Sequence, residues 1–102
     1  MATNIKAITS CLGYQQITST SSAVNLTVPI KDPVSGLNVK ANFALITAEA
    51  QAIRWRDDGT APTTTVGMPL AAGVTLQYDG DLSKIQFIAQ TAGAIVNVSY
   101  YV

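Results

Sequence analysis

Apolar side chains return at every second position through most of this chain, a rhythm that belongs to strands burying one side and exposing the other. Val24, Leu26, Val28 and Ile30 fall on one side, with Asn25, Thr27 and Lys31 on the other. Val39, Ala41, Phe43 and Leu45 alternate with Asn38, Lys40 and Asn42. Ile53 and Trp55 alternate with Arg54 and Arg56, and Val74, Leu76 and Tyr78 with Thr75, Gln77 and Asp79. Ile85 and Phe87 alternate with Lys84 and Gln86, and Val96, Val98 and Tyr100 with Asn97, Ser99 and Tyr101. A weaker run extends from Leu12 to Thr18.

Turn chemistry separates the runs. Asp32-Pro33-Val34-Ser35-Gly36 combines a proline that presets φ with a glycine that tolerates positive φ. Asp57-Asp58-Gly59 opens a longer loop through Pro62 and Thr63-Thr64-Thr65, and Met68-Pro69 and Ala71-Ala72-Gly73 break the chain again. Asp79-Gly80-Asp81 reads as a tight turn between two strands, and Thr91-Ala92-Gly93 as the hairpin turn before the last. Thr18 to Ser22 reads as a loop. The alanine-rich stretch Ala44 to Ile53 has helical propensity, but a lone ten-residue helix is marginal. It reads instead as two strand ends joined by a turn near Glu49. The expected fold is all-β: an antiparallel β-sandwich, jelly-roll or immunoglobulin-like, with six to eight short strands. Residues 1–102 form one such domain in this reading, with 1–10 as a loose N-terminal arm.

Composition narrows the function. Only 12% of the residues are charged, against roughly 25% in an ordinary globular chain, and the net charge is zero. Six basic residues are dispersed and matched by six acids, so no basic stripe is available for nucleic acid or an anionic membrane. No apolar run approaches the length of a membrane-crossing helix, and Met1 to Ser10 lacks the pattern of a signal peptide. With the single cysteine Cys11, no intrachain disulfide is possible, and folding in a cytosol is expected.

Little catalytic chemistry is available. There is no histidine, which removes the usual Ser-His-Asp and Cys-His arrangements and the commonest transition-metal ligand. Cys11 has no activating neighbour in sequence. Most of the acids sit in turn signals, where aspartate has a conformational role. Asp79-Gly80-Asp81 and Asp57-Asp58-Gly59 could contribute oxygen ligands to Ca²⁺, but neither has the length or ligand density of an EF-hand loop, and turn chemistry is the favoured reading. No glycine-rich phosphate cradle occurs. The reading is a non-enzyme with no catalytic, cofactor-binding or metal-binding residues.

The most distinctive cluster is Arg54-Trp55-Arg56-Asp57-Asp58-Gly59. Trp55 should face the core, which puts Arg54 and Arg56 on the opposite face within reach of Asp57 and Asp58. This is either an exposed ion-paired strand end or a binding face, since Trp and Arg are enriched at interface hot spots. The candidate interface residues are Arg54, Arg56, Asp57, Asp58, Thr63, Met68 and Tyr101, with the loop Gly59 to Met68. Tyr100 and Tyr101 on alternate faces of the last strand suggest that both its faces are covered.

Ile53 to Thr63 (IRWRDDGTAPT), followed by Val66-Gly67-Met68-Pro69-Leu70, resembles a group of short virion proteins of tailed bacteriophages. So does the ending, Leu82 to Gln90 (LSKIQFIAQ) and Asn97-Val98-Ser99-Tyr100-Tyr101. The likeness covers roughly Phe43 to Val102. It implies a particle component without an active site, best matched to a capsid decoration or cement protein. Such proteins form homo-oligomers, here a trimer or dimer, and bind across major capsid subunits, so the expected location is the virion, after assembly in the host cytoplasm. Two alternatives stay open: a carbohydrate- or other ligand-binding sandwich of a tail or fibre, which would need an exposed aromatic platform such as Trp55, and a head–tail joining protein.

Overall fold

A computed structural model describes residues 10–18 and 20–102 of the chain. The expected N-terminal arm lies outside the described residues except for Ser10, which is not loose: it exchanges backbone hydrogen bonds of 3.2 and 3.1 Å with Val102. Eight strands follow: β1 (Cys11–Ile17), β2 (Val24–Asn25), β3 (Phe43–Glu49), β4 (Ile53–Arg56), β5 (Met68–Leu70), β6 (Thr75–Tyr78), β7 (Gln86–Ala89) and β8 (Ile95–Tyr101). No helix occurs among the described residues.

The strands form two four-stranded sheets, ordered β1-β8-β3-β6 and β2-β7-β4-β5, and every paired neighbour is antiparallel. The pairs β4–β5, β3–β6, β2–β7 and β1–β8 nest inside one another like one long hairpin. Rolling that hairpin into two layers adds β3–β8 and β4–β7. This is the strand order of the eight-stranded jelly roll, and it separates the two sandwich types that the rhythm alone left open.

The same topology corrects two turns. β6 and β7 lie in different sheets, as do β7 and β8, so Asp79-Gly80-Asp81 and Thr91-Ala92-Gly93 are crossings between layers and not hairpin turns. Turn residues signal that the chain reverses, and they are the same whether it returns within a sheet or arches to the other. What marks an arch is a buried anchor. Leu82 is 3% exposed and Ala94 fully buried, each carried into the sandwich by its connection. Asp81 shapes the first arch by accepting from the Ser83 backbone N–H at 2.9 Å and from its hydroxyl.

The chain reverses after Glu49 as expected. Ala50 has φ +74°, and β4 opens at Ile53 in the opposite sheet. The phase of the preceding strand differs from the expectation. Ala44, Ile46 and Ala48 point inward and are fully buried, while Phe43 and Leu45 occupy the outer face. Ala41 is also buried, three positions before Ala44, so alternation slips by one residue where the strand begins. The run from Val24 is cut to two strand residues. Leu26 is buried, but Pro29 cannot donate to a ladder, and Ile30 is exposed on a projecting loop that closes through Asp32. Val74 lies outside β6 and is exposed.

The core joins Ala44, Ile46, Val96, Val98 and Tyr100 of one sheet with Ile53, Leu70, Phe87 and Ala89 of the other. Burying each large apolar side chain contributes about 1.5–3 kcal/mol. Thr20, from the loop after β1, is the buried polar residue among those described. Its hydroxyl donates to the Ala94 carbonyl at 2.7 Å, and its own carbonyl accepts from the Ala89 N–H at 2.8 Å. The two hydrogen bonds satisfy its hydroxyl and its carbonyl inside the apolar interior.

Candidate functional site

Where β4 leaves its sheet, the chain runs through residues 57–67 before returning as β5. The return is closed by Thr63, whose backbone and hydroxyl accept from the Val66 N–H and whose own N–H donates to the Val66 carbonyl at 2.9 Å. Arg54 then ties the loop down. Its Nε donates to the Thr64 carbonyl at 3.1 Å and its Nη1 to the Gly67 carbonyl at 2.9 Å. Gly67 is needed in this place. Its φ is +142°, and a β-carbon there would stand 3.2 Å from the Arg54 and Pro62 side chains and the Trp55 carbonyl.

This scaffold leaves an open cleft of about 500 Å³. Trp55 and Met68 line it, with Val66 and Gly67 from the loop and with Arg56, Asp57 and Asp58. Each polar group has a fixed neighbour. Arg56 grips Asp58 through two of its three guanidinium nitrogens, Nε to Oδ1 at 3.0 Å and Nη2 to Oδ2. That hydrogen bonding is the first cause holding the Asp58 carboxyl at about 2. Asp57 Oδ2 accepts from the Tyr78 hydroxyl at 2.6 Å. Tyr78 belongs to the other sheet, and its ring meets Trp55 edge-on at 6.0 Å. Burial first, and the Asp57 carboxylate second, push the Tyr78 phenol far above its ordinary range.

Of the residues singled out in sequence, Arg56, Asp57, Asp58 and Met68 line the cleft together. Arg54 and Thr63 stand behind it and build the loop. Arg54 pairs with backbone carbonyls and not with either aspartate, because the returning loop brings Thr64 and Gly67 to its guanidinium. Trp55 packs on the core as expected and also lines the cleft. Val66 and Gly67 fall within the loop Gly59 to Met68 singled out in sequence, though neither was picked individually, and Tyr78 was not picked as an interface residue. Gly67 carried the one usable signal, a glycine after a threonine run, while Tyr78 reaches the site only through packing of the sheets.

Tyr101 lies elsewhere, on the outer face of β1-β8-β3-β6. There its ring packs at 6.1 Å from Phe43, and its hydroxyl accepts from Ser99 at 3.1 Å. The four strands of this sheet carry one charged residue, Glu49. Across the outer face runs a ladder of neutral polar groups. Asn97 Oδ1 accepts from the Tyr14 hydroxyl and from Gln16 Nε2 at 2.9 Å, and Asn97 Nδ2 donates to Glu49 at 2.8 Å. Thr47 and Thr75 share a 3.1 Å hydrogen bond. Leu45 and Ile95 supply apolar area between them.

Asp32, Asp58 and Asp81 each accept a backbone N–H two residues on, the turn role expected of them. Among the described residues no group of three or more His, Cys, Asp or Glu is placed to hold a metal ion. The fold and its surfaces therefore define a jelly-roll β-sandwich with one aromatic-walled cleft and one nearly charge-free sheet face. No protein-family model, no curated protein and no solved structure matches the chain.

Proposed function

We propose that this protein is a structural component of a tailed-bacteriophage virion, a capsid decoration or cement protein that assembles as a homo-oligomer and binds across capsid subunits. The observation that carries the reading is the outer face of β1-β8-β3-β6. Interface centres are depleted in charge and enriched in aromatic side chains, and this face has Tyr14, Phe43 and Tyr101 and only Glu49 as a charge. Its Asn, Gln, Ser, Thr and Tyr groups both donate and accept, so the face is complementary to a second copy of itself. We assign that second copy as its occupant. A two-fold axis lying in the interface at right angles to the strands would set the two Glu49 residues, each at the end of β3, at opposite ends, without like-charge contact.

The fold supports the reading by analogy, since jelly rolls are frequent in viral capsid proteins, and also in lectins. Light scattering on the purified protein tests the assembly. An oligomer is expected, and Leu45→Arg, which sets a charge in the centre of the face without touching the core, should yield folded monomers. Electron microscopy of expanded capsids mixed with the protein tests the partner. A wild-type monomer that leaves such capsids undecorated would rule the proposal out.

A further inference from the structure

The cleft beside Trp55 has a chemistry that assembly through the opposite sheet does not use. Its apolar wall is made by Trp55, Val66 and Met68, the last two 51% and 56% exposed. The Trp55 ring is fixed from one side by the edge-on Tyr78 contact. Its polar rim mixes donors and acceptors: the guanidinium of Arg56 and the carboxylates of Asp57 and Asp58. Arg56 and Asp58 already neutralise each other, and Asp57 Oδ2 is held by Tyr78, while among the described residues no hydrogen bond engages its Oδ1. A rim so arranged does not call for an anion, and its one strong cation is used internally.

An aromatic plane with a fixed carboxylate acceptor and a fixed guanidinium donor suits a molecule that is apolar on one face and hydroxylated around its edge. A pyranose ring has that form. Its axial C–H groups can lie on the indole, and its hydroxyls both donate to carboxylates and accept from guanidinium. The volume of about 500 Å³ falls within the range of small-ligand sites and exceeds one sugar ring, so a short oligosaccharide can enter. The pre-paired side chains need no rearrangement to receive it, which lowers the cost of binding.

We infer that the cleft formed by Trp55, Arg56, Asp57 and Met68 binds an uncharged carbohydrate, with the indole as stacking platform and Asp57 Oδ1 as the principal hydroxyl acceptor. Because Trp55 is the single tryptophan of the chain, its emission reports on the cleft directly. The test titrates the intact protein with methyl glycosides of glucose, galactose and mannose, with N-acetylglucosamine, and with maltotriose and chitotriose, using spermidine as a cationic comparison. A saturable change in emission with at least one sugar in the millimolar range is expected. Val66→Lys and Met68→Lys, at exposed wall positions, should weaken it by about tenfold or more while leaving the thermal transition in place. Three results would overturn the assignment: no response to any of the sugars, a response to spermidine alone, or sugar binding that both wall variants leave intact. Capsid decoration is a separate reading, and the wall variants should decorate particles as the wild type does.

Discussion

The hydroxyl of Tyr78 on β6 donates a 2.6 Å hydrogen bond to Asp57 at the end of β4, joining the two sheets at the mouth of the cleft. Tyr78 is 8% exposed, and its ring also braces Trp55. One side chain thus sets the position of the aromatic platform and of the carboxylate beside it.

Removing that hydroxyl keeps the ring and leaves Asp57 without its protein donor. Hydrogen bonds to a charged acceptor contribute about 1.5–3 kcal/mol when well shielded, and Asp57 is partly exposed. Tyr78→Phe should therefore lower the unfolding free energy by about 1–2 kcal/mol in urea titration, with the denaturant slope unchanged. A loss below a few tenths of a kcal/mol would mean that water replaces the bond at no cost.

Gly80 is the residue on which Tyr78 rests. A β-carbon at position 80 would stand within 2.6 Å of the Tyr78 Cζ, and closer still to the hydroxyl. Gly80→Ala must push the phenol off Asp57 or bend the arch, and overpacking of this kind costs about 1–3 kcal/mol. Combined with Tyr78→Phe, the cost should be less than additive, because the displaced hydroxyl is already gone. Full additivity in the double-mutant cycle would contradict the geometry.

Ala50 offers the opposite sign. Its φ of +74° is a left-handed conformation that disfavours any residue with a β-carbon by about 1–2 kcal/mol. Glycine removes the strain but adds freedom to the unfolded chain. Ala50→Gly is expected to raise stability by about 0.5–1 kcal/mol, and Ala50→Val to lower it, as read from thermal midpoints.

Alkaline pH should unfold the protein through two buried phenols. Desolvation raises the Tyr100 group to about 12, and Tyr78 is raised as well, first by burial and then by Asp57. Between the ordinary tyrosine value of 10.0 and these folded values, the unfolded chain releases protons that the native state keeps. The stability from both groups is thus fully present below pH 10 and is lost as pH rises through the folded values. Tyr100→Phe, which cannot titrate, should make the decline shallower. An identical decline in wild type and variant would show that other groups control it.

At the acid end the informative pair is Arg56 and Asp58. The lowered Asp58 group favours the folded state above its ordinary value of 3.8, and that contribution fades as pH falls through about 2. Both side chains are near the surface, so Arg56→Ala should change the melting temperature little. Its effect belongs in a carboxyl titration by NMR, where the Asp58 midpoint should climb towards 3.8. A midpoint that stays at its wild-type position would show that the Thr60 backbone donor suffices.

Sequence alone went far with the strands and little further with their arrangement. Alternation found β4, β7 and β8 and the buried side of each, because every second residue of a half-buried strand must be apolar. It failed between Ala41 and Ala44, where one extra residue inverts the phase, since periodicity carries no marker for a slip. Seven interface candidates, with the loop Gly59 to Met68, were picked from the order of the residues, and four of the seven do line the cleft. Val66 was covered only as part of the loop Gly59 to Met68, and Tyr78 could not be found that way, being brought there by the opposing sheet.

An all-β chain with one layer of buried apolar side chains per strand, turns at Asp32–Gly36 and after Arg56, and no histidine chemistry were decided by residue order and residue type. Which turns are hairpins and which are arches was decided only by the folded state, because the same turn residues serve both and the sheet that each flanking strand joins distinguishes them. The cleft and the charge-free face follow from that choice: both exist because distant segments meet across a sandwich, and contacts of that range are settled by packing the whole core.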